Sequence, residues 1–151
     1  MQADITKKMQ DKVKSVGVVA VSDNKVLLVQ HTDEAEHLTG SYGLPSGRVE
    51  PNEADIDAAR REFSEETGLS CDAGDLSEFP DNYFEASIPR KDGSGMYFAW
   101  RVFKVKKFVG EIKESSETIP EWIEIDMLYA LEDENKLLPN TIEAVRAAIA
   151  S

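Results

Sequence analysis

The sequence predicts a single α/β domain. Short β-branched runs bounded by turn residues recur along its 151 residues, the segment from Glu53 to Thr67 carries helical periodicity, and a second helical stretch closes the chain. The length is enough to close one hydrophobic core, and no repeat, low-complexity stretch or linker divides it, so residues 1–151 read as one domain.

Taken in order, Ile5, Met9 and Val13 recur at spacing four and predict a short helix or an ordered tail over Met1 to Lys14. The run Val16-Gly17-Val18-Val19-Ala20-Val21 reads as a buried strand. Ser22-Asp23-Asn24 supplies turn chemistry and Lys25 to Gln30 returns, so the pair predicts a hairpin. His31 to Ser41 is a polar, acidic loop, and Tyr42 to Val49 is extended backbone interrupted at Gly43, Pro45 and Gly47. Asn52 offers an N-cap for the helix Glu53 to Thr67. Glu53 and Asp55 suit the positive end of its dipole, and Gly68 offers the C-cap.

Beyond the helix, Leu69 to Ala73 reads as a short strand. Asn82 to Ile88 and Met96 to Phe108 read as two strands joined by a turn from Pro89 to Gly95. Along the second, Met96, Phe98, Trp100 and Val102 alternate with Tyr97, Ala99, Arg101 and Phe103. Both faces are therefore largely apolar, as in a central strand covered on both sides. Gly110 to Thr118 is an acidic loop, Ile119 to Ile125 a strand, Asp126 to Leu131 a short helix, and Thr141 to Ala150 a final helix capped by Asn140.

A formal net charge of −12 argues against a nucleic-acid partner, because duplex affinity comes from neutralising phosphates with Lys and Arg. A small phosphorylated substrate remains compatible, since divalent cations on clustered carboxylates reverse the local field. Cys71 is the only cysteine, which fits a reducing compartment. Met1 to Lys14 has no apolar signal-peptide core, and no apolar run reaches transmembrane length. A cytoplasmic protein with no membrane partner is expected.

On the helix, Ile56, Ala59 and Phe63 form an apolar face for packing, while Glu62, Glu65 and Glu66 project together from another. Like charges at these spacings cost roughly a few tenths of a kcal/mol per pair. A hard divalent cation would offset the repulsion, and a solvated acidic face is the alternative. The spacing alone does not choose between them. The residues around it do: Gly47, five residues, Glu53, seven residues, then Arg61-Glu62-Phe63-Ser64-Glu65-Glu66-Thr67-Gly68-Leu69. This resembles the Nudix box, G-x5-E-x7-R-E-U-x-E-E-x-G-U with U bulky and apolar, at every defined position. Chance would give it at roughly 10⁻⁷ per register.

The chain is thus similar to the Nudix hydrolases of MutT-like type, and the resemblance covers most of its length. It implies a Nudix fold, an α/β/α sandwich with a central mixed sheet. It also implies an enzyme using Mg²⁺, with Mn²⁺ able to substitute, to cleave the pyrophosphate of a nucleoside diphosphate derivative. Glu62, Glu65 and Glu66 are implied as metal ligands, and Arg61 as the residue that orients a catalytic glutamate. Glu53 is implied to steady the loop–helix geometry, and Gly68 to be structural. Family members commonly have two glycines before the helix. Here Leu44-Pro45-Ser46-Gly47 puts Ser46 at the first, where the backbone carbonyl is the implied metal contact and serine restricts the backbone.

An acidic residue outside the box often reaches the metals as ligand or general base. Glu111, Glu114, Glu117 and Glu121 lie in the right stretch, and Glu117 is chosen because such a residue is expected in the loop Ser115 to Pro120. A solvated surface charge is the alternative for each. Leu138-Pro139-Asn140 resembles the MutT arrangement in which an asparagine binds a purine edge, so Asn140 is a substrate-binding candidate as well as a cap. Arg48 and Arg90 are phosphate candidates. Tyr83, Phe84, Tyr97 and Trp100 either stack a base or fill the core. His31 and His37 are expected at the surface, and Cys71 as a buried small hydrophobe.

Three functions follow as expectations. One is hydrolysis of a nucleoside triphosphate, unmodified or oxidised, to monophosphate and pyrophosphate, favoured by Asn140. Another is a pyrophosphatase of ADP-ribose, a nucleotide sugar or a dinucleoside polyphosphate, favoured by Ser46. The third is an inactive nucleotide-binding module, disfavoured because the box glutamates are complete. A monomer and a homodimer are both compatible.

Overall fold

In the computed structural model, residues 12–33, 40–89 and 95–151 are described. β1 (Val13–Val19) runs parallel to β8 (Gly95–Val105), with Val13 opposite Phe98 and Val19 opposite Lys104. β5 (Ser46–Arg48) is antiparallel on the other edge of β1. β6 (Leu76–Ser77) and β7 (Tyr83–Pro89) are antiparallel to β8. These strands make the expected mixed sheet. A second, antiparallel sheet is built on β3 (Lys25–His31), which pairs with β2 (Val21–Ser22), β4 (Tyr42–Gly43) and β9 (Thr118–Glu124).

Helices cover both faces of the mixed sheet. Ala58, Ala59 and Phe63 of α1 (Asp55–Thr67) bury against Val16, Val18, Phe103 and Val105. On the opposite face, Val19 and Val102 meet Leu128 of α2 (Leu128–Asp133) and Ile142, Val145 and Ala148 of α3 (Thr141–Ala150). Alternate residues of β1 and β8 therefore feed two cores, which is why β8 reads as apolar on both faces.

Several local expectations are corrected. The predicted hairpin shrinks to β2 and β3, turning at Asp23 and Asn24, both with left-handed φ of 51° and 62°. The rest of the first strand leaves for the mixed sheet, where β5 and β8 satisfy both of its edges. The box helix starts at Asp55 behind Ala54, with no side-chain cap. Asn52 instead takes φ 64° in the preceding turn, and Glu53 lies outside the helix with its carboxylate committed to Arg61. Gly68 does close the helix, at φ 84°, with its N–H donating to the Ser64 carbonyl.

Leu69 to Ala73 forms only an isolated bridge, Ser70 to Val109, and a 3₁₀ turn over Ala73–Asp75 follows. Lys12 is not helical, Val13 and Lys14 belong to β1, and residues 1–11 of the predicted N-terminal helix lie outside the described residues, as do His37 and Arg90. No described helix is long and apolar enough to cross a membrane.

Candidate active site

The box helix presents its acidic face to a cavity of about 400 Å³, lined by Glu62, Glu66, Ser46, Gly47, Arg48, Glu117 and their neighbours. Glu66 is the most constrained of these groups. Its Oε1 accepts a 2.7 Å hydrogen bond from the Ser46 N–H, across the gap between β5 and α1. Burial pushes its carboxyl up to about 8, and the charges of Glu62, Glu117 and Glu65 push the same way against the Ser46 bond. No cation among the described residues pairs with it. A half-buried carboxylate so placed among like charges is costly unless a positive charge arrives from outside.

Glu62 lies beside it. Burial raises its pKa, opposed by Arg61, whose Nη1 donates to Glu62 Oε1 at 2.7 Å. Gly47 explains how the carboxylate reaches that place: a Cβ there would fall 2.0 Å from Glu62 Cδ, so only glycine leaves the room.

Arg61 is the hub behind these groups. Its Nε and Nη2 grip both oxygens of Glu53 at 2.9 Å, and Nη2 also donates to the Arg48 carbonyl at 2.9 Å. The guanidinium holds the Glu53 carboxyl down to about 2, with the Glu50 N–H adding to the effect, while Glu53 and Glu62 raise the pKa of Arg61. Loop, turn and helix are thereby locked together.

The remaining candidates separate clearly. Glu117, exposed and one residue before β9, lines the cavity. Glu65 does not line it. Its side chain is 58% exposed and touches Arg61 Nη1 at 3.4 Å. Arg48 is on the cavity wall, and Ser46 contributes its N–H. Asn140 borders an adjoining apolar slot with Phe84, Trp100 and Leu138. That slot, of about 30 Å³, has room for little more than a water molecule. Asn140 starts α3 with φ 66° and makes no capping bond through its side chain; Thr141 Oγ1 bonds the Leu138 carbonyl instead.

Three polar residues of the cavity were missed: His31, Ser15 and Thr118. His31, expected at the surface, is 6% exposed, with Nδ1 3.0 Å from the Ser41 carbonyl. It is in phase with the buried Leu27 and Val29, a signal its polarity masked. Ser15 is buried on the cavity wall, and its hydroxyl has no hydrogen-bond partner among the described residues. Trp100 and Phe98 stack at 5.6 Å along the same wall.

Among the described residues no three acidic, histidine or cysteine side chains stand as a ready-made metal cage. Glu62 is turned onto Arg61 instead. The donor set nonetheless fits a hard cation: the carboxylate oxygens of Glu62, which Gly47 lets into the site, and of Glu66, half-buried and without a countercharge among the described residues.

The NUDIX domain family matches residues 11–145. Among relatives, the human 8-oxo-dGDP phosphatase NUDT18 is 39% identical over 57 residues, 38% of this chain and 17% of that protein. The bovine m7GpppN-mRNA hydrolase NUDT17 is 33% identical over 79 residues, 52% of this chain and 26% of that one. The matches thus span less than a third of either relative's length. Among solved structures, a MutT protein of Methanosarcina mazei Go1 superposes with a TM-score of 0.73 at 19% identity, covering 92% of this chain and 94% of that one. The E. coli ORF135 protein does so at 0.66 and 22%, covering 93% and 90%. These two likenesses are of fold. The family match spans the cavity's glutamates, the arginine hub behind them and the sheets that hold them, and the chain belongs to the Nudix family.

Proposed function

We propose that this chain is a divalent-metal-dependent pyrophosphohydrolase acting on a nucleoside diphosphate linked to another group. Within that class, we infer a nucleoside triphosphate, unmodified or oxidised, cleaved to a monophosphate and pyrophosphate. The observation that carries the reading is Glu66, a half-buried carboxylate with no cation beside it among the described residues, next to Glu62 on the wall of an open cavity. Similarity to NUDT18, named for 8-oxo-dGDP, supports an oxidised purine nucleotide.

Glu62 and Glu66 would hold Mg²⁺ or Mn²⁺, with Glu117 and the Ser46 carbonyl, and Glu65 would join them only by leaving Arg61 and turning towards the cavity. A bound ion would neutralise the pyrophosphate charge and acidify a water. Arg61 keeps Glu62 and the Glu53 turn in place, and the Ser46 N–H fixes the Glu66 oxygen. Glu117 would serve as ligand or general base, Arg48 would meet a phosphate oxygen, and Asn140 would meet a base edge. The lone Cys71 and a small diffusible substrate suit a cytoplasmic enzyme, monomeric or homodimeric.

The test is a hydrolysis panel with and without Mg²⁺: unmodified and oxidised nucleoside triphosphates, ADP-ribose, nucleotide sugars and dinucleoside polyphosphates, with products identified. Metal-dependent release of monophosphate and pyrophosphate from a triphosphate is expected. A preference for the linked dinucleotides would move the substrate to the second class. Silence from folded, metal-binding protein would leave a binding module.

A further inference from the structure

The last turn of any helix leaves carbonyls that its own backbone cannot satisfy. In α1 these belong to the turn that carries Glu66, and the loop 110–118 supplies their partners. Lys113 N–H donates to the Thr67 carbonyl at 2.7 Å, and Thr118 Oγ1 donates to the Glu66 carbonyl at 3.3 Å. The loop comes this close because residue 68 is glycine: a Cβ there would lie 2.8 Å from the Glu111 carbonyl and 2.9 Å from Lys113 Cβ. The docked loop is the one that bears Glu117.

Inside the loop the hydroxyls form a short chain. Ser115 Oγ is 2.9 Å from Thr118 Oγ1 and accepts from both the Glu117 N–H, at 3.3 Å, and the Thr118 N–H, at 3.1 Å. With Thr118 donating to Glu66, Ser115 is left to donate to Thr118. From the other side, Thr32 N–H donates to the Glu117 carbonyl at 2.9 Å, and Thr32 Oγ1 to the Ser116 carbonyl at 2.6 Å. Thr118 is buried, 1% exposed, and lines the cavity next to the glutamates. Its hydroxyl is the side-chain link between the Glu117 loop and the backbone of Glu66.

We propose that Thr118 is a positioning residue: its hydroxyl sets Glu117 in register with Glu66, so that both carboxylates can serve one divalent-cation site. The inference rests on the metal reading of the cavity given above. A hydroxyl that only stabilised the loop would not need to act through Glu117, and that difference is measurable.

The test uses the full chain and Mn²⁺ alone, titrated by electron paramagnetic resonance without nucleotide, for the wild type, Thr118→Val, Thr118→Ser, Glu117→Gln and the double variant Thr118→Val/Glu117→Gln. Thr118→Val should weaken Mn²⁺ binding by about tenfold, the lower end for losing a group that orients a ligand. Thr118→Ser should restore it. The double variant should bind no more weakly than Glu117→Gln, because the effect runs through Glu117. Unchanged binding in folded Thr118→Val would overturn the proposal, as would losses that multiply in the double variant. Should Thr118→Val fail to fold, Ser115→Ala, in an exposed part of the loop, takes its place with a loss in the same direction, and no loss overturns the proposal. A wild type that binds no Mn²⁺ would sink the metal reading itself, and this proposal with it.

Discussion

Glu66→Gln should stabilise the metal-free protein at alkaline pH while abolishing its response to metal. Glutamine keeps an oxygen to accept the Ser46 N–H and removes only the charge. In the wild type without metal, burial raises the carboxyl from 4.5 to about 8. A carboxyl raised on folding contributes stability that is complete below pH 4.5 and is lost as the pH climbs through about 8. At about 1.4 kcal/mol per tenfold, the interval corresponds to about 5 kcal/mol, reduced to about 2 kcal/mol where water reaches the ionised group. For a chain of this size that is roughly 4 to 8 °C in melting temperature.

The assay is thermal melting in chelator from pH 5 to 8.5, repeated with Mg²⁺. Without metal, the two proteins should agree near pH 5 and diverge by pH 8.5, with the Glu66→Gln variant the more stable. With Mg²⁺ the order should reverse at alkaline pH, and hydrolysis by the variant should fall by more than about a hundredfold, beyond the usual cost of losing a group behind a ligand. Parallel metal-free melting curves for the two proteins across the whole pH range would refute the reasoning.

Further tests separate the parts of the site. Arg61→Lys cannot reproduce the two-pronged grip on Glu53 together with the bond to Glu62, so hydrolysis should fall by about 10- to 100-fold, measured as kcat/KM. Gly47→Ala puts a methyl group where the Glu62 carboxylate lies, so Mn²⁺ binding should weaken by at least about tenfold; binding like that of the wild type would show that Glu62 is not a ligand. Ser15→Ala removes a buried hydroxyl with no partner among the described residues, and denaturant unfolding should show unchanged stability or a gain of up to about 1 kcal/mol. A loss above that size would mean the hydroxyl is already bonded.

The site's chemistry was written locally, and that is why it could be read. Glu62, Glu66 and Arg61 lie within two turns of one helix, and Gly68 ends it where a left-handed residue is needed. β8 was equally legible, because its two apolar faces anticipate cores on both sides. What the residues could not reveal was partnership over distance. The runs at Val16 and Lys25 are similar, and nothing local says that one joins β8 and the other β9. Asn52 is a sound N-cap by type, yet the helix starts later because Glu53 is held by Arg61. The docking of loop 110–118 on α1 joins segments that share no pattern in sequence.

The parallel union of β1 with β8 also bears on how the chain folds. Val13 faces Phe98, so the first described strand must wait for a segment far along the chain before its longest edge is paired. Closing so long a loop is entropically slow, and such distant pairing lowers folding rates. During synthesis, β3 and β4 can meet early, while the apolar Val16, Val18 and Val19 stay without their main partner until residues 95–105 have emerged. That interval is when the nascent chain is most open to aggregation, and β1 is the segment a chaperone would need to shield.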